Sequence, residues 1–298
     1  MQTILISSRS FSRESEVIME TLNKVQSFKK QRLCFDYTPE GKKLKEKALL
    51  EYCNEDIIGI IAGTEQITKD IIDHCPNLKV ISRYGGGLDN IDVTYAKKKH
   101  IKIYSTTTQT TAVAELTVTL MLSLLRKIHE MNNHCWKPMM GNNLSGKTIG
   151  IIGYGRIGFR VGELLDNFNV RYKIYDLRYK FDTLHEVLTK SDIISLHVPL
   201  TPKTQHMISK EQFAKMKSSA LLINTSRGGV VDEYALTRAL EKKQIAGAAL
   251  DVYEKEPYSG KLIEFDNVIL MPHVGSYTYE TRQQMEEETI SNLLEGLK

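Results

Sequence analysis

The stretch Gly146-Lys147-Thr148-Ile149-Gly150-Ile151-Ile152-Gly153-Tyr154-Gly155-Arg156-Ile157-Gly158 decides how this chain is read. A G-x-G-x-x-G alone is a weak signal. Here it follows an apolar run and opens an amphipathic one, the strand-turn-helix context that a dinucleotide site requires. Gly153 permits the tight turn, Gly155 lets backbone approach a pyrophosphate, and Gly158 lets helix and strand pack closely. The amides of Arg156 and Ile157 would face phosphate at the positive end of the helix. The next apolar run, 171–175, ends in Asp176. A carboxylate about 20 residues past the glycines can accept from both ribose hydroxyls and repels a 2′-phosphate. That favours NAD over NADP, and Arg178 two residues later weakens the preference a little. The competing reading is a glycine turn with an ordinary strand-end Asp, and the strand-helix context sets it aside.

Outward from this motif, β-branched runs alternate with amphipathic stretches, which predicts βα units and parallel sheets. Before the motif, strands are expected at 4–7, 32–35, 56–62, 78–82 and 102–104, with helices at 13–25 and 67–74. The run 56–62 is nearly all apolar, as for a central parallel strand buried on both faces. A long helix over 111–134 carries apolar residues on much of its surface and reads as buried between layers. A turn-rich linker at 141–146 follows. After it, strands are expected at 148–152, 171–175, 193–197, 220–224, 247–252 and 268–271. The helices between them fall at 157–166, 184–190, 210–216 and 233–242, and a polar helix at 281–297 ends the chain. The fold class is α/β, with two doubly wound, Rossmann-like parallel-sheet domains.

The chain has 298 residues, which at about 150 residues per domain fits two domains. Hydrophobic residues make up 41% and charged residues 26%, an ordinary globular composition rather than a disordered one. The charge sum is 40 minus 36, or +4, with both signs interspersed. Clusters such as Lys97-Lys98-Lys99 read as solvated faces, so no nucleic-acid partner is expected. No apolar run approaches the roughly 18 to 20 residues that cross a bilayer. The N-terminal apolar stretch is too short for a secretory signal, and a cytoplasmic location is expected. Cys34, Cys53, Cys75 and Cys135 show no C-x-x-C spacing. In His74-Cys75 and His134-Cys135 the adjacent side chains diverge on a helix or strand, so no metal site is expected.

Three segments downstream carry chemistry. In Ile223-Asn224-Thr225-Ser226-Arg227-Gly228-Gly229 a strand rises into an arginine and two glycines. Arg227 thereby lies at the carboxyl end of a parallel strand, the edge where doubly wound folds bind ligands. The others are Asp251-Val252-Tyr253-Glu254-Lys255-Glu256-Pro257 and Met271-Pro272-His273-Val274-Gly275-Ser276. With the glycine motif, Arg83-Tyr84-Gly85-Gly86-Gly87, Val113-Ala114-Glu115 and His197-Val198-Pro199, all in order, the sequence resembles the D-isomer-specific 2-hydroxyacid dehydrogenases. The resemblance covers essentially the whole chain.

It implies a catalytic set of Arg227, Glu256 and His273. Hydride transfer to a 2-keto acid leaves an alkoxide that must be protonated, and an imidazole holds and releases a proton near neutral pH. Glu256 would hydrogen-bond His273 and favour its charged form. Arg227 would bind the substrate carboxylate and polarise the keto oxygen with its forked donors. The resemblance places Gly86 and Gly87 at the substrate carboxylate and leaves Arg83 as a substrate-side cation or a partner for an acid such as Asp89. It places Thr111 near the nicotinamide, His197, Pro199 and Thr204 on the adenosine side, and Thr225 and Ser226 at the nicotinamide ribose. Asp251 falls by the nicotinamide ring, and Gly275 is grouped with the cofactor contacts. NAD is the implied cofactor, with no metal.

The implied organisation is a flavodoxin-like substrate domain at 1–105, completed by 276–298, and a dinucleotide-binding domain at 106–275. A homodimer contact is expected on helix 111–134. Position 86 is Gly where a larger residue is common, which predicts a looser substrate pocket. The stretch 56–92 looks like the phosphoglycerate dehydrogenase branch, although Ala62 stands where that branch carries an arginine. Glyoxylate, hydroxypyruvate, D-lactate and larger 2-keto acids stay open as substrates. A formate or phosphite dehydrogenase is the near rival, and formate enzymes pair the histidine with Gln rather than Glu. A NAD(H)-sensing binding protein on the same fold is the rival of another class.

Overall fold

A computed structural model describes residues 2–8, 11, 33–37, 46–133, 136 and 138–298. The expected helix 13–25 lies outside the described residues. The chain forms two units, Met1–Gln109 with Tyr277–Lys298, and Thr110–Ser276. The first crossing thus falls a few residues beyond the expected 105.

In the first unit, β1 (Gln2–Ile6), β2 (Leu33–Tyr37), β3 (Ile57–Ala62), β4 (Val80–Arg83) and β5 (Lys102–Ser105) make one sheet. Its order is β2-β1-β3-β4-β5 and every pairing is parallel. This is the flavodoxin-like order, whose winding reverses between β1 and β3. All six residues of β3 are buried, because helices cover both faces of a parallel sheet. On one face Leu5, Ile60 and Ile81 pack with Ile71 and Ile72 from α2 (Lys69–Asp73), which follows the short α1 (Glu46–Leu50). The helix α3 (Val93–Lys98) precedes β5. On the other face Ile4, Ile61 and Val80 meet Met285, Ile290 and Leu293 of the C-terminal helix, Tyr279–Leu297. Burying each such side chain stabilises by about 1.5–3 kcal/mol. Ser82 Oγ donates to Thr289 O at 2.8 Å, tying that helix to the sheet.

The second unit holds β6 (Thr148–Ile152), β7 (Arg171–Tyr175), β8 (Ile193–Leu196), β9 (Leu221–Asn224), β10 (Gly247–Leu250) and β11 (Val268–Leu270). The order is β11-β10-β9-β8-β6-β7, again all parallel. Helices α4 (Thr110–Leu125), α5 (Ile128–Asn133), α6 (Arg156–Leu165), α7 (Leu184–Lys190), α8 (Lys210–Phe213) and α9 (Glu233–Glu241) connect or cover these strands. One face packs Ile151, Ile193, Ile223 and Ala249 against Met121, Leu124, Val161 and Leu165. The other packs Leu196, Leu222 and Leu250 against Val187, Phe213, Leu236 and Leu240. The winding reverses between β6 and β8, which opens a crevice at their carboxyl ends.

Two expectations are corrected. The helix expected over 111–134 is two helices, broken at Lys127 with φ 54°. The carbonyl of Leu125 accepts the N–H of Asn142 at 2.8 Å, so the incoming linker takes the acceptor that would continue the first helix. Strands also stop short of His197, Asp251 and Met271. Those residues turn out of the sheet into the loops that build the site.

Candidate active site

The glycine loop leaves β6 at its carboxyl end. Gly153 has φ 94°, and a Cβ there would lie 2.6 Å from His197 O. Only glycine meets both demands. Gly158 likewise leaves no room for a Cβ against Gly153 O. Gly155 caps α6 without any side-chain hydrogen bond, so the amides at Arg156 and Ile157 stand at an uncapped helix N-terminus suited to an anion. Asp176 follows β7 and is largely buried. It accepts the N–H of Tyr154 at 2.7 Å and that of Arg178 at 2.9 Å. The Arg178 side chain donates to it through Nε at 3.0 Å and Nη2 at 2.8 Å. That side-chain contact holds the Asp176 carboxyl well below the usual carboxylate range. These features fit a dinucleotide: glycines where backbone must approach it, free amides for pyrophosphate, and a carboxylate at the ribose position.

His197 follows β8. Its N–H bonds Ile152 O at 2.7 Å, and its Nε2 lies 2.8 Å from Ser195 Oγ. Burial pushes its pKa down to about 3, so the ring is neutral. Pro199 and Thr204 lie in the next loop, where Thr204 Oγ1 donates to Pro199 O at 2.6 Å and accepts Thr201 N–H at 2.8 Å. Thr204 is therefore a buried brace of that loop. Thr225 Oγ1 pairs with Thr117 Oγ1 at 2.8 Å. Ser226 directs both its N–H and its Oγ to Asn224 Oδ1, at 3.0 and 2.8 Å. Asn224 is fully buried, and its Nδ2 donates to Arg227 O at 3.0 Å. Sequence reasoning passed over Asn224, yet it shapes the whole turn from 225 to 227. Its signal is a polar amide at the end of a strand whose other residues are all apolar. Thr111 sits exposed on the first turn of α4.

Arg227, Glu256 and His273 come from the loops after β9, β10 and β11, three adjacent strands. Arg227 is extended, and its Nη1 donates to Ser226 O at 2.7 Å. A Cβ on Gly228 would overlap the backbone at Tyr253, so the loops after β9 and β10 touch. His273 has φ 57°. Its Nδ1 lies 3.0 Å from Glu256 Oε1 and 2.9 Å from Oε2. With Nδ1 donating to the carboxylate, Nε2 is the nitrogen that can exchange a proton with a ligand. Three groups from the segment after β10 fix the histidine loop. Tyr253 Oη donates to Met271 O at 2.9 Å, and Asp251 accepts Val274 N–H at 2.7 Å and Gly275 N–H at 2.8 Å. Glu256 is the third. Burial raises the Asp251 carboxyl. Asp251 and Gly275 are thus placed as supports of the histidine loop. Tyr253, missed in the sequence, holds the same loop from below.

On the first unit, the loop after β4 carries Gly85 at φ 138°, then Gly86 and Gly87. Arg83 Nε donates to Asn90 Oδ1 at 3.3 Å and Nη1 donates to Tyr84 O. Asn90 in turn donates to Gly63 O at 3.0 Å. Arg83 therefore braces its own loop. At Gly86 a Cβ would collide with the side-chain amide of Gln109, so that amide stands over the glycine. The Gln109 amide is anchored on Thr106 O at 3.0 Å. Among the described residues no group of three or more His, Cys, Asp or Glu could hold a metal. No described helix is long and apolar enough to cross a membrane.

Residues 118–275 match the model of the D-isomer specific 2-hydroxyacid dehydrogenase NAD binding domain. A glyoxylate reductase of Thermofilum pendens is 44% identical over 259 residues, 79% of this chain and 76% of that one. A crystal structure of a glyoxylate reductase from Paecilomyes thermophila has a TM-score of 0.88 at 30% identity, covering 100% of this chain and 95% of that one. That of the D-lactate dehydrogenase from Aquifex aeolicus, complexed with NAD and lactic acid, has a TM-score of 0.83 at 28% identity, covering 99% and 97%. The chain belongs to the D-isomer specific 2-hydroxyacid dehydrogenase family. It is an oxidoreductase acting on the CH–OH group of 2-hydroxy acids, with a nicotinamide dinucleotide as cofactor.

Proposed function

We propose that this chain reduces glyoxylate, or a 2-keto acid of similar size, preferring NADH. The observation that carries the chemistry is the His273–Glu256 pair beside Arg227 at the carboxyl edge of one sheet. Gly153, Gly155, the first amides of α6 and Asp176 would hold the nucleotide, which supplies the hydride when bound. Arg227 binds the substrate carboxylate and polarises the keto oxygen with its planar fork. His273 delivers the proton from Nε2 to the keto oxygen as it becomes an alkoxide, and takes it back in the oxidation direction. Glu256 fixes the ring through Nδ1 and so leaves Nε2 facing the ligand side. On the first unit, the backbone amides of Gly86 and Gly87 suit a carboxylate.

Substrate size rests on two supports. The relatives at 44% and 30% identity are named glyoxylate reductases, and they give no support to the phosphoglycerate dehydrogenase-like branch. Arg83, the cation that a phosphorylated substrate would need, is engaged by Asn90 and Tyr84, and Ala62 is buried in β3. The same proposal includes a cytoplasmic homodimer, checked by sedimentation equilibrium.

The test is NADH oxidation with glyoxylate, hydroxypyruvate, pyruvate, phenylpyruvate and 3-phosphohydroxypyruvate. We expect the highest kcat/KM with glyoxylate or hydroxypyruvate. A preference for the phosphorylated acid would overturn the substrate assignment.

A further inference from the structure

An ionised carboxylate offers about four acceptor positions, two on each oxygen. At Asp176 all four are taken. Oδ1 accepts the Arg178 N–H at 2.9 Å and its Nε–H at 3.0 Å. Oδ2 accepts the Tyr154 N–H at 2.7 Å and the Arg178 Nη2–H at 2.8 Å. The two backbone donors belong to the fold. The other two come from one guanidinium on a side chain that is 60% exposed. It lies over the Tyr179 ring at 5.4 Å and 3.6 Å from where a Gly155 Cβ would stand. The fork gives one hydrogen bond to each carboxylate oxygen. A ribose diol presents the same pattern, two neighbouring O–H donors. Guanidinium and diol therefore compete for the same pair of acceptor positions.

We propose that Arg178 is a cofactor-specificity residue: it occupies Asp176 in place of the ribose diol, and once swung off it becomes the cation that meets a 2′-phosphate. The inference rests on the nucleotide-site reading given above. NADH must displace the guanidinium, so its apparent affinity is the intrinsic one multiplied by the fraction of molecules in which Arg178 is open. A 2′-phosphate would be repelled by Asp176 alone. The released guanidinium offsets that repulsion with a bidentate, charge-assisted contact. Because Arg178 keeps the Asp176 carboxyl ionised, the competition persists across the neutral pH range. The chain is thus expected to bind both nucleotides, with NADH favoured less than its aspartate alone would dictate.

The experiment is calorimetric titration of wild type, Arg178→Ala and Arg178→Lys with NADH and with NADPH, without any keto acid. Arg178→Ala is expected to tighten NADH by about fivefold, as the closed state is removed. It should weaken NADPH by about tenfold or more, as the phosphate contact is lost. Arg178→Lys keeps the charge without the fork, so NADPH should weaken, though by less than in Arg178→Ala. An unchanged or weaker NADH affinity in Arg178→Ala overturns the proposal. So does a shift of both nucleotides by one common factor. If wild type binds neither nucleotide, the reading of the site falls and the Arg178 role falls with it. If wild type binds NADH but turns over no keto acid, the substrate assignment alone fails, and the Arg178 titrations still decide this inference. Arg178 is largely exposed, so circular dichroism of the variants should match wild type.

Discussion

The carboxyl edges of the two sheets are built on opposite plans. At β6 the chain leaves backbone open: Gly155 has no side-chain cap, and the nearest atom to a Cβ there is the Arg178 guanidinium at 3.6 Å. At β4 the chain closes its own glycine loop, with Gln109 over Gly86 and Arg83 tied to Asn90. The first plan suits a ligand read through amides and one carboxylate. The second shapes space with side chains, and side chains are what a sequence can change to select one acid over another. One edge is shaped by backbone conformation, the other by side chains that fill it.

Substitutions can break or sharpen this contrast. The largest effect belongs to His273→Ala, which should lower kcat by about 10²- to 10⁴-fold. NADH affinity by titration should stay near wild type, because the histidine stands apart from the glycine loop. An equal loss in both would mean the two functions share one structural element. Next is Gly153→Ala. A side chain at φ 94°, 2.6 Å from His197 O, should cost about 1–3 kcal/mol in a urea melt. NADH binding should weaken with it. Full stability in this variant would show that the open edge does not depend on backbone conformation.

A smaller effect concerns pH. Folded His197 has its pKa pushed down by burial to about 3, from 6.5. Between those values the unfolded chain takes up a proton that the folded chain refuses. The contribution of this group to stability therefore falls as pH drops below 6.5 and is flat above it. His197→Asn should show a shallower loss of urea midpoint between about pH 7 and about pH 5. Equal slopes would mean another group dominates the acid response. The smallest expected change is for Gln109→Ala, which empties the space over Gly86. The phenylpyruvate-to-glyoxylate ratio of kcat/KM should rise by about tenfold, with NADH affinity unmoved. A constant ratio would remove side-chain filling as the selector.

The same contrast explains how much was legible in the sequence. Strands announce themselves through apolar runs such as Ile57–Ala62, and the glycine spacing names its own turn. Arg227 could be placed from the strand it follows, while Glu256 and His273 were picked out by resemblance to the family. The break after Leu125 was not, since the apolar pattern offers no interruption there. It is imposed by Asn142, arriving from a segment beyond the second helix. Gln109 and Asn90 were invisible for a related reason. Their importance lies in what they touch, Gly86 and the carbonyl of Gly63, and nothing in their neighbours encodes that contact. Asn224 stands between these cases. A buried amide at a strand end must find partners, so its presence before Thr225-Ser226-Arg227 hints at a turn that it organises.

The hydrogen bond from Ser82 to Thr289 spans 207 residues of chain. Synthesis on the ribosome proceeds from the N-terminus at about 5–20 residues per second. The packing of Met285, Ile290 and Leu293 on Ile4, Ile61 and Val80 can form only once the helix Tyr279–Leu297 has been made. Every residue of Thr110–Ser276 is made before then and can fold on its own schedule. A stop codon just before Tyr279 would leave a nascent apolar sheet face for chaperones to hold.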